Sequence, residues 1–303
     1  MDKRWECVIV GGGAAGLSAA LVLGRARRRT LLVDAGSPSN LAAHGVGGLL
    51  GFDGVPPGEL YARGRRELAG YPSVEVRAGQ VAGASSADGG FTVRLEDGAA
   101  EDTERILLAT GMRYDAPQLP GLDELWGRSV FHCPFCHGWE VRDQPLAVFA
   151  QGERAVHMAL LLRGWSDDVV VLTGGPPDLT VADRERLAVA GIPVDERVIA
   201  GLASAGGELD AVVFADGSRY RRSGLLVATT LRQRSTLAAD LGVRLVAAGP
   251  VSPEAVEINA MYRTSVPGVF AAGDVCTAMP QVASAIAAGS AAAASVMTSV
   301  TEG

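Results

Sequence analysis

At 303 residues the chain is about twice the usual length of one domain, so two domains are expected. Its 48% apolar and 20% charged residues suit a globular protein with ample core, and a net charge of -7 argues against a nucleic-acid partner. Four cysteines, two of them in a CxxC pair, fit a reducing compartment better than a disulfide scaffold, and a cytoplasmic address is expected.

Lys3 and Arg4 precede an apolar stretch, but Cys7-Val8-Ile9-Val10 runs straight into a glycine loop and reads as a strand, not as a leader. The loop is Gly11-Gly12-Gly13-Ala14-Ala15-Gly16. A helix follows to about Arg27, its basic run Arg25 to Arg29 complementing the helix C-terminus. Leu31 to Asp34 is the next strand, and Asp34 lies 18 residues beyond Gly16, where an acid meets a ribose hydroxyl. Gly11 permits the tight turn, Gly13 the approach of a pyrophosphate, and Gly16 close helix packing. The loop alone does not separate FAD from NAD. Pro56-Pro57 opens a helix to about Ala69, and Phe91 to Leu95 alternates towards a hairpin turn at Asp97-Gly98. Arg105 to Ala109 is a buried strand ending in Thr110-Gly111.

The second half repeats this order. Leu146 to Phe149 is a strand, Ala150-Gln151-Gly152-Glu153-Arg154-Ala155 an eroded glycine loop, and a helix runs to about Arg163. Val169 to Leu172 is a further strand, Asp216-Gly217 a second hairpin signal, and Leu226 to Thr230 echoes Leu107 to Gly111. An internal duplication follows: an α/β chain of two Rossmann-like domains, each a three-layer ββα unit with a parallel sheet and a small antiparallel layer. The Ala-rich stretch Val282 to Val296, broken by Ser284, Gly289, Ser290 and Ser295, reads as a packed terminal helix, so no membrane partner is expected.

Between the two loops stands Cys133-Pro134-Phe135-Cys136-His137. Such a pair closes and reopens a disulfide, storing two electrons, and a dinucleotide cofactor is a natural place for them. The same letters formally match a c-type haem attachment, but haem has no use for two nucleotide folds. Zinc could use the flanking His132 and His137, yet no second ligand cluster follows at finger spacing, so no metal is expected. Cys7 and Cys276 read as buried apolar residues, a minor redox role being left open for Cys276 beside Gly273-Asp274. By residue type alone His44 and His157 read as structural.

These motifs together resemble the low-molecular-weight thioredoxin reductase family over essentially the whole chain. The matching residues are Gly11-x-Gly13-x-x-Gly16, Ala109-Thr110-Gly111, the CxxC pair, and Ala271-Ala272-Gly273-Asp274 before Gln281-Val282. The resemblance implies FAD as cofactor, with an FAD domain made of about residues 1–114 and 245–303. A nicotinamide-type domain, 115–244, would be inserted between them and carry the CxxC pair. It also implies a homodimer. Asp274 would lie near the flavin and its ribityl chain, Gln281 and Val282 along the ring edge, and Asn40 and His44 in a flavin-side loop. Ala15, Val81, Ala109, Thr110, Gly111 and Gly273 would complete the cofactor set.

The chain departs from that family at two places. His137 stands where the family usually has Asp, and the second loop begins Ala150-Gln151 where a full GxGxxA is usual. Thr173-Gly174-Gly175-Pro176 replaces an Arg-rich segment for a 2′-phosphate, so both the admitting glycine and the gripping cations are missing. Cys-Pro-Phe-Cys-His-Gly is similar to FAD-dependent dithiol oxidases that close disulfides in gliotoxin- and holomycin-type natural products, where oxygen takes the electrons. That resemblance implies a small-molecule dithiol and oxygen as partners, Cys136 facing the flavin, Cys133 facing the substrate, and His137 moving protons. Two alternatives stay open: a thioredoxin-disulfide reductase fed by NAD(P)H or another donor, and a redox-sensing flavoprotein without turnover.

Overall fold

The computed structural model describes residues 4–277 and 279–301. The chain forms two compact units, Met1–Leu41 with Val55–Tyr114 and Thr230–Gly303, and Ala42–Gly54 with Asp115–Thr229. Each is an α/β unit, as the sequence predicts.

In the first unit a five-stranded parallel sheet runs in the order Val269–Ala271, Ile106–Leu108, Cys7–Val10, Thr30–Asp34, Val74–Ala78. Its central strands are unbroken apolar runs because both faces are covered. The period of two then sorts their side chains. Val8, Val10, Leu31 and Val33 pack towards the antiparallel sheet Val81–Ala87, Gly90–Leu95, Ala100–Thr103. Ile9, Leu32 and Leu107 pack on the other side, with helices Ala14–Arg25, Pro57–Leu68 and Val282–Thr301. The terminal helix is long and apolar enough, by length and composition, to cross a membrane. Here Ala292, Ala293 and Val296 are buried in the core, and a Cβ on Gly289 would collide with the Ala15 carbonyl, so small residues set its close approach to helix Ala14–Arg25.

The second unit repeats the plan. Its parallel sheet is Val194–Asp195, Val169–Leu172, Leu146–Phe149, Gly224–Val227, Val130–Phe131, with an antiparallel sheet Ile199–Ala205, Glu208–Phe214, Arg219–Arg221. Both Asp-Gly pairs close hairpins as expected. Gly98 and Gly217 take φ of +90° and +81°, and the preceding Asp side chains accept the Ala99 and Ser218 amides. The fifth strand differs in origin. In the first unit it comes late in the chain, at Val269–Ala271; in the second it comes first, at Val130–Phe131.

The units differ from the expected 1–114 with 245–303 and 115–244 in two places, neither of them at 114/115. Residues 230–244 group with the first unit, because Thr230–Gln233 pairs with Met112–Asp115 and Leu237, Ala238, Leu241 and Val243 are buried in its core. Residues 42–54 group with the second, where Gly127 packs against Ala42 and Gly47 against the Cys136 backbone.

Candidate active site

The first glycine loop is built as a dinucleotide cradle. Gly11 has φ +111°, and a Cβ there would run into the Ala109 carbonyl; one on Gly16 would run into the Gly11 carbonyl. Both glycines are steric requirements of the strand–loop–helix turn. Gly13, by contrast, has open space where a Cβ would stand. It caps helix Ala14–Arg25 without a side-chain cap and with no acid in the first turn, so the first amides are free for a pyrophosphate. Asp34 ends the neighbouring strand, buried, its carboxylate accepting from the Gly36 amide at 2.8 Å and from Arg65 Nη1 at 3.2 Å. Ala109, Thr110 and Gly111 leave the strand beside the loop, and Gly273 at φ +83° lies against Ala15. These residues fit a bound dinucleotide.

The remaining cofactor candidates divide. Asn40 Oδ1 accepts the Tyr61 hydroxyl at 2.9 Å, and Asp274 accepts the Tyr114 hydroxyl at 3.1 Å. Burial pushes the Asp274 carboxyl up to about 6. Gln281 is exposed and precedes helix Val282–Thr301, which Val282 begins. Val81 is buried within the apolar core. His44 belongs to the second unit: its loop, 42–54, groups there, and its Nε2 lies 4.0 Å from Glu208.

The second glycine loop is closed by its own side chains. Ala150 is buried, and Gln151 reaches across the loop: its Nε2 donates to the Thr173 carbonyl at 2.5 Å, and its Oε1 accepts the Asp178 amide at 3.2 Å. Arg154 turns inward to donate to the Thr229 carbonyl at 2.7 Å. Glu153 adds a negative charge to the first turn of helix Gly152–Leu162, where a phosphate would need to sit. Gln151 thus ties the loop to the end of strand Val169–Leu172, and Arg154 ties it to the end of strand Gly224–Val227, the side on which the strand order reverses and a pyrophosphate would enter.

The redox pair lies in the same unit. Cys133 and Cys136 are joined as a disulfide with Cα atoms 5.4 Å apart, around the short helix Pro134–His137. Both are partly accessible. Phe135, between them, is 55% exposed and stands edge-on to Trp165 at 5.4 Å. Trp139 is 66% exposed, with the Arg142 guanidinium 3.9 Å over its ring.

His137 stacks on Phe131 at 5.6 Å, and its Nε2 lies 3.1 Å from the Gly127 carbonyl. A carbonyl only accepts, so Nε2 carries the proton and Nδ1 keeps the lone pair of the neutral ring. Nδ1 is buried and has no hydrogen-bond partner. Burial holds the His137 pKa below the usual imidazole range, against weaker upward pulls from the Gly127 carbonyl, Glu140 and the Cys133 backbone. His132 stacks on Trp126, and burial, with the nearby His137 and Arg154, drives it down to about 4. Both rings are therefore neutral near pH 7, and His137 offers a base. Among the described residues no three His, Cys, Asp or Glu side chains gather as a metal site. Cys7 and Cys276 are free thiols, each pushed up to about 12 by burial.

A disulfide in one α/β unit and a dinucleotide cradle in another are the parts shared by one group of enzymes. The profile of pyridine nucleotide-disulphide oxidoreductases matches residues 5–289. The chain belongs to this family. It is an enzyme of the disulfide oxidoreductase type, and the family's members are flavoproteins. The thioredoxin reductase aclD of Aspergillus oryzae is 30% identical over 303 residues, spanning 97% of this chain and 95% of its own. A crystal structure of HlmI is 40% identical with TM-score 0.93, covering 100% of this chain and 94% of that one. An oxidoreductase from Agrobacterium tumefaciens is 36% identical with TM-score 0.92, covering 99% of both chains.

Sequence reasoning missed Tyr61, Tyr114 and Arg65, which hold the predicted Asn40, Asp274 and Asp34. No local pattern marks them, since each meets its partner across at least 21 residues of chain. Gly47 and Gly127 were findable in part: glycines in a loop announce a close approach, though not what is approached.

Proposed function

We propose that this enzyme is an FAD-dependent dithiol oxidase, closing an intramolecular disulfide in a small apolar molecule and passing the electrons to oxygen. The observation that carries the reading is the second nucleotide loop, tied down on its two sides by the hydrogen-bonded side chains of Gln151 and Arg154. A nicotinamide cofactor would have to displace these contacts and sit beside Glu153, so the electrons are assigned to enter from the dithiol side. The exposed Phe135 and Trp139 near the cysteines suit an apolar substrate. A homodimer belongs to the same reading on the sequence resemblance alone, and a cytoplasmic address on the cysteine usage.

The thiol chemistry follows from the residues of the second unit. A substrate thiolate attacks Cys133 Sγ, the Cys133–Cys136 bond breaks, and Cys136 leaves as a thiolate. The second substrate thiol, deprotonated, attacks the substrate sulfur bound to Cys133 and releases Cys133. The substrate has then lost two protons and two electrons, and the electrons reside in the enzyme dithiol. His137 Nδ1 takes up a proton as each thiol ionises and returns it when a thiolate is protonated. FAD, when bound, supplies a two-electron acceptor that restores the disulfide, with oxygen as final acceptor and peroxide as its product. The cradle residues Gly11, Gly13, Gly16, Asp34 and Asp274 would hold it.

Anaerobic bleaching of the flavin tests the assignment. Bleaching by a small dithiol and persistence of the yellow colour with micromolar NADPH are expected. A rapid bleach by NADPH would make the enzyme a reductase, and no bleach by either would make it a sensor.

His137 carries its own expectation. Because its pKa lies below the ordinary value of about 6.5, the base is free at neutral pH and is lost only as pH falls through that lower value. Flavin reduction by dithiol should therefore show an acid limb below about pH 6.5. His137→Ala should remove the limb and slow reduction on the order of 10²-fold or more. Stopped-flow absorbance across pH reads both, and an unchanged limb in the variant would exclude this role.

A further inference from the structure

The thiol chemistry leaves one buried polar cluster of the first unit unused. The Tyr114 hydroxyl donates to Asp274 Oδ2 at 3.1 Å and also meets the Ser39 side chain; beside it, Tyr61 donates to Asn40 Oδ1 at 2.9 Å. Four separate stretches meet here: the loop after strand Thr30–Asp34, helix Pro57–Leu68, strand Met112–Asp115, and the turn Asp274–Cys276. Tyr114 stands on the strand by which the chain leaves the first unit. A buried carboxylate is costly unless donors converge on it, and Tyr114 is the side-chain donor to Asp274 among the described residues.

We infer that Tyr114 is a positioning residue for the flavin, its hydroxyl fixing the Asp274 carboxylate as the acceptor for a hydroxyl of the flavin's polyol chain. The inference rests on the assignment of the first unit to FAD. It ties the strand leaving that unit to the strength with which the cofactor is held. The groups that face Asp274 leave it alone to titrate in the neutral range. Burial raises the Tyr61 and Tyr114 phenols, and it pushes the Cys276 thiol up to about 12. Asp274 itself lies near 6, raised by burial and partly restrained by Tyr114.

The full-length holoprotein is diluted across pH 5 to ~8.5, and FAD release is read by the recovery of its fluorescence, in wild type, Tyr114→Phe, Asp274→Asn and the double variant. Wild type should hold FAD more tightly as pH rises through the ionisation of Asp274. Tyr114→Phe should weaken binding about 10- to 100-fold near pH 7, the worth of a hydrogen bond to a charged group. Its pH midpoint should move upward, because one donor to the carboxylate is gone. In the Asp274→Asn background the pH dependence should vanish, and the Tyr114 effect should shrink with it. Equal affinity and equal midpoint in wild type and Tyr114→Phe would overturn the inference. So would a weakening that is the same at every pH and persists beside Asp274→Asn, the mark of a packing role. A wild type that carries no FAD would instead defeat the flavin reading itself, and this inference with it.

Discussion

Cys133→Ser and Cys136→Ser are each expected to stop dithiol turnover, by on the order of 10⁴-fold or more, because no other thiol can replace either one. The two remaining cysteines are held near 12, so roughly one in 10⁴ of each is thiolate at pH 8. Cys7 is also fully enclosed in its strand. The two serine variants should nevertheless differ. Cys133→Ser leaves Cys136 as a lone thiol, and its thiolate beside oxidised flavin should appear as a long-wavelength absorption. Cys136→Ser should lack that band. Absorbance spectra of the two purified variants at pH 8 decide the matter, and the reverse pattern would exchange the proposed roles of the cysteines.

Asp274→Asn should make the flavin-free protein more stable while making it hold FAD less well. In the folded chain the carboxyl is raised by burial from its ordinary 3.8 to about 6. A group raised in this way favours the folded state fully below the unfolded value, and that contribution is lost as pH rises through the folded one. Between pH ~4 and ~7 the wild type therefore forfeits roughly 2 kcal/mol that the uncharged amide does not. Urea unfolding of both apoproteins at the two pH values gives the difference directly. A gap that stays constant between them would mean that Asp274 is not the group strained by ionisation. A gap that widens towards pH 7 would instead mark a charged group whose cost is met on binding its ligand and not by its own fold.

Much of the fold was legible because its requirements are local. Gly11, Gly16, Gly98 and Gly217 each answer a backbone conformation or a collision that only a residue without Cβ avoids, and the surrounding strands and helices announce themselves by period. The repeat was legible for the same reason: the Asp-Gly turns and the strands after them recur at equal spacing. The allocation of residues 230–244 was not. Leu237, Ala238, Leu241 and Val243 form an apolar pattern that would suit either core, and only the pairing of Thr230–Gln233 with Met112–Asp115 decides which. The stretch 42–54 was hidden likewise, since Gly47 answers to the backbone of Cys136, far away in sequence. In the redox site the cysteines and His137 could be named in advance. The neutral tautomer could not, because it depends on the Gly127 carbonyl and on the burial of Nδ1. Erosion of the second loop was visible as missing glycines, whereas its closure by Gln151 needed the positions of Thr173 and Asp178.

The chain leaves the first unit along Met112–Asp115 and returns along Thr230–Gln233, and these two strands are neighbours in one small sheet. A segment whose ends meet in this way behaves as a cartridge: its host needs nothing from it but a fixed span between two adjacent points. All five strands of the cradle sheet, Val269–Ala271 included, come from outside the cartridge. Its contents are therefore free to drift, and Ala150 and Gln151 in place of loop glycines leave that sheet intact. The exception is the stretch 42–54, which is encoded within the host but packs with the cartridge. A graft that changes the thiol-handling head must carry those 13 residues with it.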